Sequence, residues 1–229
     1  MIKACLFDLD GTVLDTVNTI AWYCNKALEN FGIETIPVER FNYLAGKGAK
    51  HLVESMLRER NCFSEELFEE IFPYYLGLYD EDPYYLTKPF DGIPELLDSI
   101  KELGIKTAVI SNKQNSSTQT LCEKMFKPSA FDMVRGQIDG VKLKPDPEGV
   151  NLVMDGLGVN SNEILYIGDT DIDMQTGKNI GAYTIGVLWG FRKEDELMAN
   201  GADELVSHPS EILHIIERIN KKQKIFKKI

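Results

Sequence analysis

The stretch Ile2-Lys3-Ala4-Cys5-Leu6-Phe7-Asp8-Leu9-Asp10-Gly11-Thr12-Val13 is an apolar run that ends abruptly in two acids, a glycine and a hydroxyl. Its apolar part reads as a β-strand. Two carboxylates with one residue between them lie on the same side of an extended chain, about 6–7 Å apart. The glycine lets the chain turn sharply and lets its backbone approach a ligand. The carboxyl end of a strand is where open α/β sheets bind their ligands. One carboxylate can then serve as nucleophile and the other as proton shuttle, with a hard cation between them. A strand followed by an Asx-type turn uses the same residue types, so this stretch alone leaves both readings open.

Further along, Lys106 to Ile110 and Ile164 to Ile167 read as strands, with weaker runs at Met133–Val134, Ala182 to Val187 and Glu204 to Val206. Helical patterns lie between them at Gly92 to Leu103, Ser117 to Met125, Pro147 to Leu157 and Asp173 to Asn179. Strands alternating with helices indicate βαβ units and a mostly parallel sheet. Pro94 fits a first helical turn and Gly104 a helix end.

The first two strands are separated by far more chain than a crossover needs. Ile20, Tyr23, Cys24, Ala27, Leu28 and Phe31 recur at helical spacing until Gly32; Leu52, Val53, Met56 and Leu57 form a second helix, and Leu67, Phe68, Ile71 and Phe72 begin a third. The expected fold is therefore α/β, a Rossmann-like core with an inserted α-helical cap. Residues 1–14 and 87–229 would form the core and residues 15–86 the cap, placed as a lid over Asp8. Tyr74, Tyr75, Tyr79, Tyr84 and Tyr85 are expected in core and interdomain packing.

Two other strands also end in polar groups. Thr107 to Ile110 is followed by Ser111-Asn112, where a hydroxyl beside turn amides can donate to phosphoryl oxygens. Ile164 to Ile167 is followed by Gly168-Asp169-Thr170-Asp171-Ile172-Asp173, whose carboxylates suit an oxygen-ligand magnesium site. Between them, Pro145 biases Lys144 to an extended backbone, which aims its side chain consistently. Three apolar strands ending in acids or hydroxyls are hard to explain as unrelated turns.

Composition narrows the classes. At 43% hydrophobic and 27% charged the chain is globular, and it has no apolar run of about 18 residues for a membrane span. Met1 leads directly into the first strand, with no secretory pattern. Cys5, Cys24, Cys62 and Cys122 are scattered, which argues against zinc or a disulfide framework and for a reducing, cytoplasmic setting. A net charge of −11 disfavours nucleic acid, because phosphate backbones call for a basic surface. Lys221, Lys222, Lys224, Lys227 and Lys228 read as a solvated helix end.

Taken in order, Asp8-x-Asp10-Gly-Thr12, strand-end Ser111, Lys144-Pro-Asp and Gly168-Asp169-x-x-x-Asp173 resemble the four motifs of the haloacid dehalogenase superfamily. The resemblance implies that Asp8 attacks phosphorus to form an aspartyl-phosphate, and that Asp10 acts first as acid and then as base. It implies Mg2+ held by Asp8, the backbone carbonyl of Asp10 and Asp169, with Asp173 supporting through water. Ser111, Lys144 and the turn amides would stabilise the equatorial oxygens, and Thr12 would steady Asp10. Asp10 itself disfavours the dehalogenating and carbon–phosphorus-cleaving branches, which lack that acid.

Leu44 to Val53, Pro89 to Leu97, Ser111-Asn112-Lys113 and Gly186 to Phe191 are similar to phosphoglycolate phosphatases, which implies that Asn112 and Lys47 meet a small phosphorylated metabolite. β-Phosphoglucomutase-like phosphoryl transfer and pyrophosphate hydrolysis use the same frame. A phospho-accepting receiver domain would be shorter and would lack the insertion. A monomer or homodimer is expected.

Overall fold

Strand β1 (Ala4–Phe7) is buried along its whole length and lies between two parallel neighbours, β4 (Lys106–Gln114) and β6 (Ile164–Gly168). The computed structural model describes the backbone of residues 1–226 and the side chains of residues 1–222. With β5 (Met133–Gln137), β7 (Tyr183–Val187) and β8 (Glu204–Val206), the strands form a six-stranded parallel sheet in the order β5-β4-β1-β6-β7-β8. Ala4 is level with Lys106 on one side and Ile164 on the other, so the ends of β1 and β6 and the middle of β4 come together.

The sheet is apolar on both faces because helices cover both, as parallel sheets require. Cys5, Phe7, Leu165 and Ile167 face α5 (Ile93–Glu102), α6 (Asn115–Met125) and α10 (Glu211–Phe226). Ala4, Leu6, Ile164 and Tyr166 face the opposite way, onto α7 (Glu148–Leu157). Alternate side chains of one strand thus feed two cores. Helices α8 (Asp171–Ile180) and α9 (Glu194–Ala199) carry the chain from β6 through β7 to β8. Each fully buried aliphatic or aromatic side chain contributes about 1.5–3 kcal/mol, so Phe7 and Leu6 anchor the strand whose end bears the acids. Pro94 and Gly104 occupy the first turn and the end of α5 as the sequence predicts.

Between β2 (Leu14–Asp15) and β3 (Lys88–Pro89) lies a helical insert, and those two short strands pair antiparallel as its stem. The insert comprises α1 (Val17–Asn30), α2 (Phe41–Leu44), α3 (Ala49–Glu59) and α4 (Glu65–Glu81). Leu28, Phe41, Met56, Leu57 and Ile71 form its own apolar centre, joined from outside the insert by Phe191. Helix α4 starts at Ser64, whose hydroxyl accepts from the Leu67 amide at 3.2 Å, with Glu65 and Glu66 in the first turn.

Several elements differ from the sequence-based expectation. β4 runs on to Gln114 with a register irregularity against β5, so Ser111 lies within the strand rather than after it. Helix α8 starts at Asp171, earlier than periodicity indicates, because Thr170 caps it through a reciprocal pair with Asp173. Tyr74, Tyr84 and Tyr85 are exposed, whereas Tyr75 and Tyr79 are buried. Lys221 and Lys222 are exposed; Lys227 and Lys228 lie outside the described residues, as does the side chain of Lys224. The four cysteines are free, and no described helix is long and apolar enough to cross a membrane.

Candidate active site

Each reactive side chain sits near the carboxyl end of a strand. Asp8 directly follows β1 and its amide donates to the Ile167 carbonyl at 2.9 Å. The chain then reverses, with the amides of Thr12, Val13 and Leu14 all directed at the carbonyl of Leu9. Gly11 adopts φ +84°, and any side chain there would overlap the Asp169 carboxylate. That is the physical reason a glycine follows the second acid.

Lys144 organises the centre. Its Nζ donates to Asp8 Oδ1 at 2.7 Å, to Asp173 Oδ1 at 2.8 Å and to the Ile110 carbonyl at 3.1 Å. The other oxygen of Asp8 meets no protein donor among the described residues and faces the cavity. Asp169 accepts from the Thr12 hydroxyl at 2.7 Å and the Phe191 amide at 2.8 Å. Asp173 accepts from the Thr170 hydroxyl at 2.6 Å. Asn112 ties the Lys144 segment to β4: its Oδ1 accepts from the Lys144 amide at 2.8 Å, and its Nδ2 donates to the carbonyls of Lys144 and of Gly46 in the insert, each at 3.0 Å.

One carboxylate oxygen from each of Asp8, Asp169 and Asp173 lies within 4.8 Å of the others. Burial above all, and then Asp173, pushes the Asp8 carboxyl up to about 7, with Lys144 pulling against that rise. Burial, followed by the charges of Asp173 and Asp8, raises Asp169 well above the carboxylate range. Burial acts to lower Lys144, but Asp173 and Asp8 outweigh it and keep the ammonium charged. Three buried acids around one lysine leave surplus negative charge. That surplus and the all-oxygen donor set fit a hard divalent cation.

Above this centre is a cavity of about 50 Å³. The core contributes Asp8, Asp10, Ser111 and Lys113 to its wall, and the insert contributes Ile20, Leu52, Tyr75 and Tyr79. Ser111 is buried, and its Oγ accepts from the Lys113 amide at 3.1 Å. Lys113 Nζ lies 3.1 Å from both oxygens of Asp10 and 4.6 Å from the centre of the Tyr79 ring. The Tyr79 hydroxyl is buried and has no hydrogen-bond partner among the described residues.

The structure therefore gathers Asp8, Asp10, Thr12, Ser111, Asn112, Lys144, Asp169 and Asp173 within one region, and leaves Lys47 apart. Lys47 is exposed and lines a neighbouring outer groove with Lys50 and Leu143. Thr12 meets Asp169 rather than Asp10, because the turn at Gly11 directs its hydroxyl toward the end of β6. Asp10 instead pairs with Lys113, a contact absent from the sequence-based reading. Spacing carried a signal for it: Lys113 is two residues beyond Ser111, hence on the same face of an extended strand.

A parallel sheet whose strand ends converge on paired acids, a hydroxyl and a lysine, with a helical insert over them, defines a hydrolase class. The chain belongs to the haloacid dehalogenase-like hydrolases, whose family pattern matches residues 5–187. Among its relatives is the phosphoglycolate phosphatase of Aquifex aeolicus, 32% identical over 216 residues that cover 94% of this chain and 97% of the relative. The N-acetylmuramic acid 6-phosphate phosphatase of Pseudomonas aeruginosa is 29% identical, covering 95% of this chain and 96% of the relative. The crystal structure of a phosphoglycolate phosphatase-like protein from Lactobacillus delbrueckii subsp. bulgaricus superposes with a TM-score of 0.87 at 30% identity, covering 92% of this chain and 96% of that one.

Proposed function

We propose that this protein is a magnesium-dependent phosphatase that hydrolyses a small phosphate monoester through an aspartyl-phosphate on Asp8. The observation that carries this reading is the state of Asp8: one oxygen is held by Lys144 at 2.7 Å, the other meets no protein donor among the described residues, and the carboxylate stands beside those of Asp169 and Asp173. A held carboxylate with one exposed oxygen is oriented for attack on a phosphorus placed in the cavity.

Asp8, Asp169 and the carbonyl of Asp10 would hold Mg2+, with Asp173 behind them. The bound ion would offset the surplus charge of the acids and of the phosphoryl group. In the first half-reaction the free oxygen of Asp8 bonds to phosphorus, the ester P–O bond breaks, and Asp10 gives its proton to the leaving oxygen. In the second half, Asp10 takes a proton from the attacking water, phosphate departs, and the Asp8 carboxylate is restored. Ser111, on the cavity wall, would donate to an equatorial phosphoryl oxygen, whose charge dominates this chemistry, while Lys144 would hold Asp8 and lend its positive charge.

The relatives' names make phosphoglycolate the first substrate to test and hexosamine phosphates the next. The compact cavity, with Lys113 as a cation in its wall, supports a substrate with a small body. Metal-stripped protein should release phosphate from p-nitrophenyl phosphate only after Mg2+ is restored, and Asp8→Asn should abolish release. Turnover in excess chelator, or an active Asp8→Asn protein, would overturn the mechanism.

A further inference from the structure

We infer that Phe191 is a positioning residue through which the helical insert fixes Asp169 for its cation; this rests on the reading of Asp169 as a cation ligand. Phe191 belongs to the loop after β7, outside the insert in sequence, yet its ring is 6% exposed and packed in the insert's apolar centre. The amide of the same residue donates to Asp169 Oδ2 at 2.8 Å. Ring and amide are joined through one Cα, so the ring cannot shift far without moving the donor.

Its neighbours leave the loop little freedom. Gly190 is pressed so closely on Asp169 and the Gly11 carbonyl that a Cβ would overlap both. On the other side Arg192, with its side chain 5% exposed, donates to the carbonyl of Asn42 in the insert and lies 4.9 Å from the Tyr43 ring centre. Its Nε is anchored in turn by Glu196 at 2.9 Å. The loop also reaches the other oxygen of Asp169 indirectly: Trp189 Nε1 donates to the Thr12 carbonyl at 3.0 Å, and the Thr12 hydroxyl donates to Asp169 Oδ1. Both oxygens of one acid are thus set by a loop whose next two residues are held by the insert.

Donors behind a metal-binding carboxylate orient it, and their loss commonly weakens metal binding about 10–100-fold. Coupling of this kind is reciprocal, so a cation on Asp169 must strengthen the insert's hold on Phe191 by the same factor.

The test is Mn2+ binding to the metal-stripped full-length protein by titration calorimetry, with no substrate present. Phe191→Ala should bind Mn2+ roughly 10-fold more weakly or worse than wild type, and Phe191→Leu should recover most of the loss. Leu28→Ala, which removes apolar volume from the same centre without touching the loop, should bind as wild type does. If Phe191→Ala does not fold, the milder truncation Phe191→Val takes its place and should weaken binding in the same direction.

Wild-type affinity in Phe191→Ala, or in Phe191→Val where only that variant folds, would overturn the inference. So would an equal loss in Leu28→Ala, since the effect would then be general packing. A wild-type protein that binds no Mn2+ would instead overturn the cation reading of Asp169 on which the inference stands.

Discussion

The two walls of the cavity are built on opposite plans. On the core side Asp8 is backed by Lys144, Asp169 and Asp173; all four are almost inaccessible, and each is held by charged or backbone partners. On the insert side Ile20, Leu52, Tyr75 and Tyr79 present mostly carbon, and the buried hydroxyl of Tyr79 has no partner among the described residues. Rigid strand ends suit groups that must meet a reacting phosphorus within fractions of an ångström. A helical surface with an unused donor suits a ligand that supplies the missing partner. The difference separates fixed chemistry from substrate choice.

The sharpest way to break that contrast is to remove Lys144, the lysine behind the core wall. Lys144→Met would leave Asp8 and Asp173 facing each other without their shared cation, and would remove the ammonium charge beside Asp8. Loss of one such electrostatic stabiliser costs about 10²–10³ in kcat. A Lys144→Met protein within tenfold of wild type would show that the ion pair is structural only.

A second test uses pH and metal together. The Asp8 carboxyl is raised to about 7, against about 3.9 in an unfolded chain. A folded-state value above the unfolded one contributes stability at low pH, which is lost as pH rises from about 4 through about 7. Asp169 is shifted in the same direction. Metal-free protein should therefore lose stability between pH 5 and 8 through these groups, and Mg2+ should restore more of it at pH 8. Thermal melts with and without Mg2+ at both pH values decide the point. An equal gain at the two values would place the cation elsewhere.

How legible each wall was in the sequence follows the same division. Asp8, Ser111 and Asp169 were readable because an apolar run stops and a polar group follows, and Lys144 because a proline follows it. The parallel sheet emerged from the same runs. Lys113 and Tyr79 were not readable as partners, because they meet across residues far apart in sequence and on different kinds of element. Phe191 entered the sequence reading only as the end of a segment similar to phosphoglycolate phosphatases; only the fold shows that it enters the insert's centre. Lys47 drew notice for the opposite reason. The resemblance of Leu44 to Val53 pointed it at the substrate, but a local segment could not show that it lines an outer groove.

The smallest effect, and the most direct test of the insert wall, comes from Tyr79→Phe. A buried hydroxyl without a partner costs stability, so removing its oxygen should leave the melting temperature unchanged or slightly higher. If that hydroxyl is reserved for substrate, the same change should raise KM several-fold and leave kcat nearly intact, the signature of lost uniform binding. Lys47→Ala, measured in parallel, should change KM by less than about fivefold, as expected of an exposed charge. A Tyr79→Phe protein with unchanged KM, or a Lys47→Ala protein with the larger rise, would move substrate selection from the inner wall to the outer loop. The stability measurement discriminates independently: a clear fall in melting temperature would mean that the hydroxyl already has a partner in the free protein, and the insert wall would then be as fully committed as the core wall.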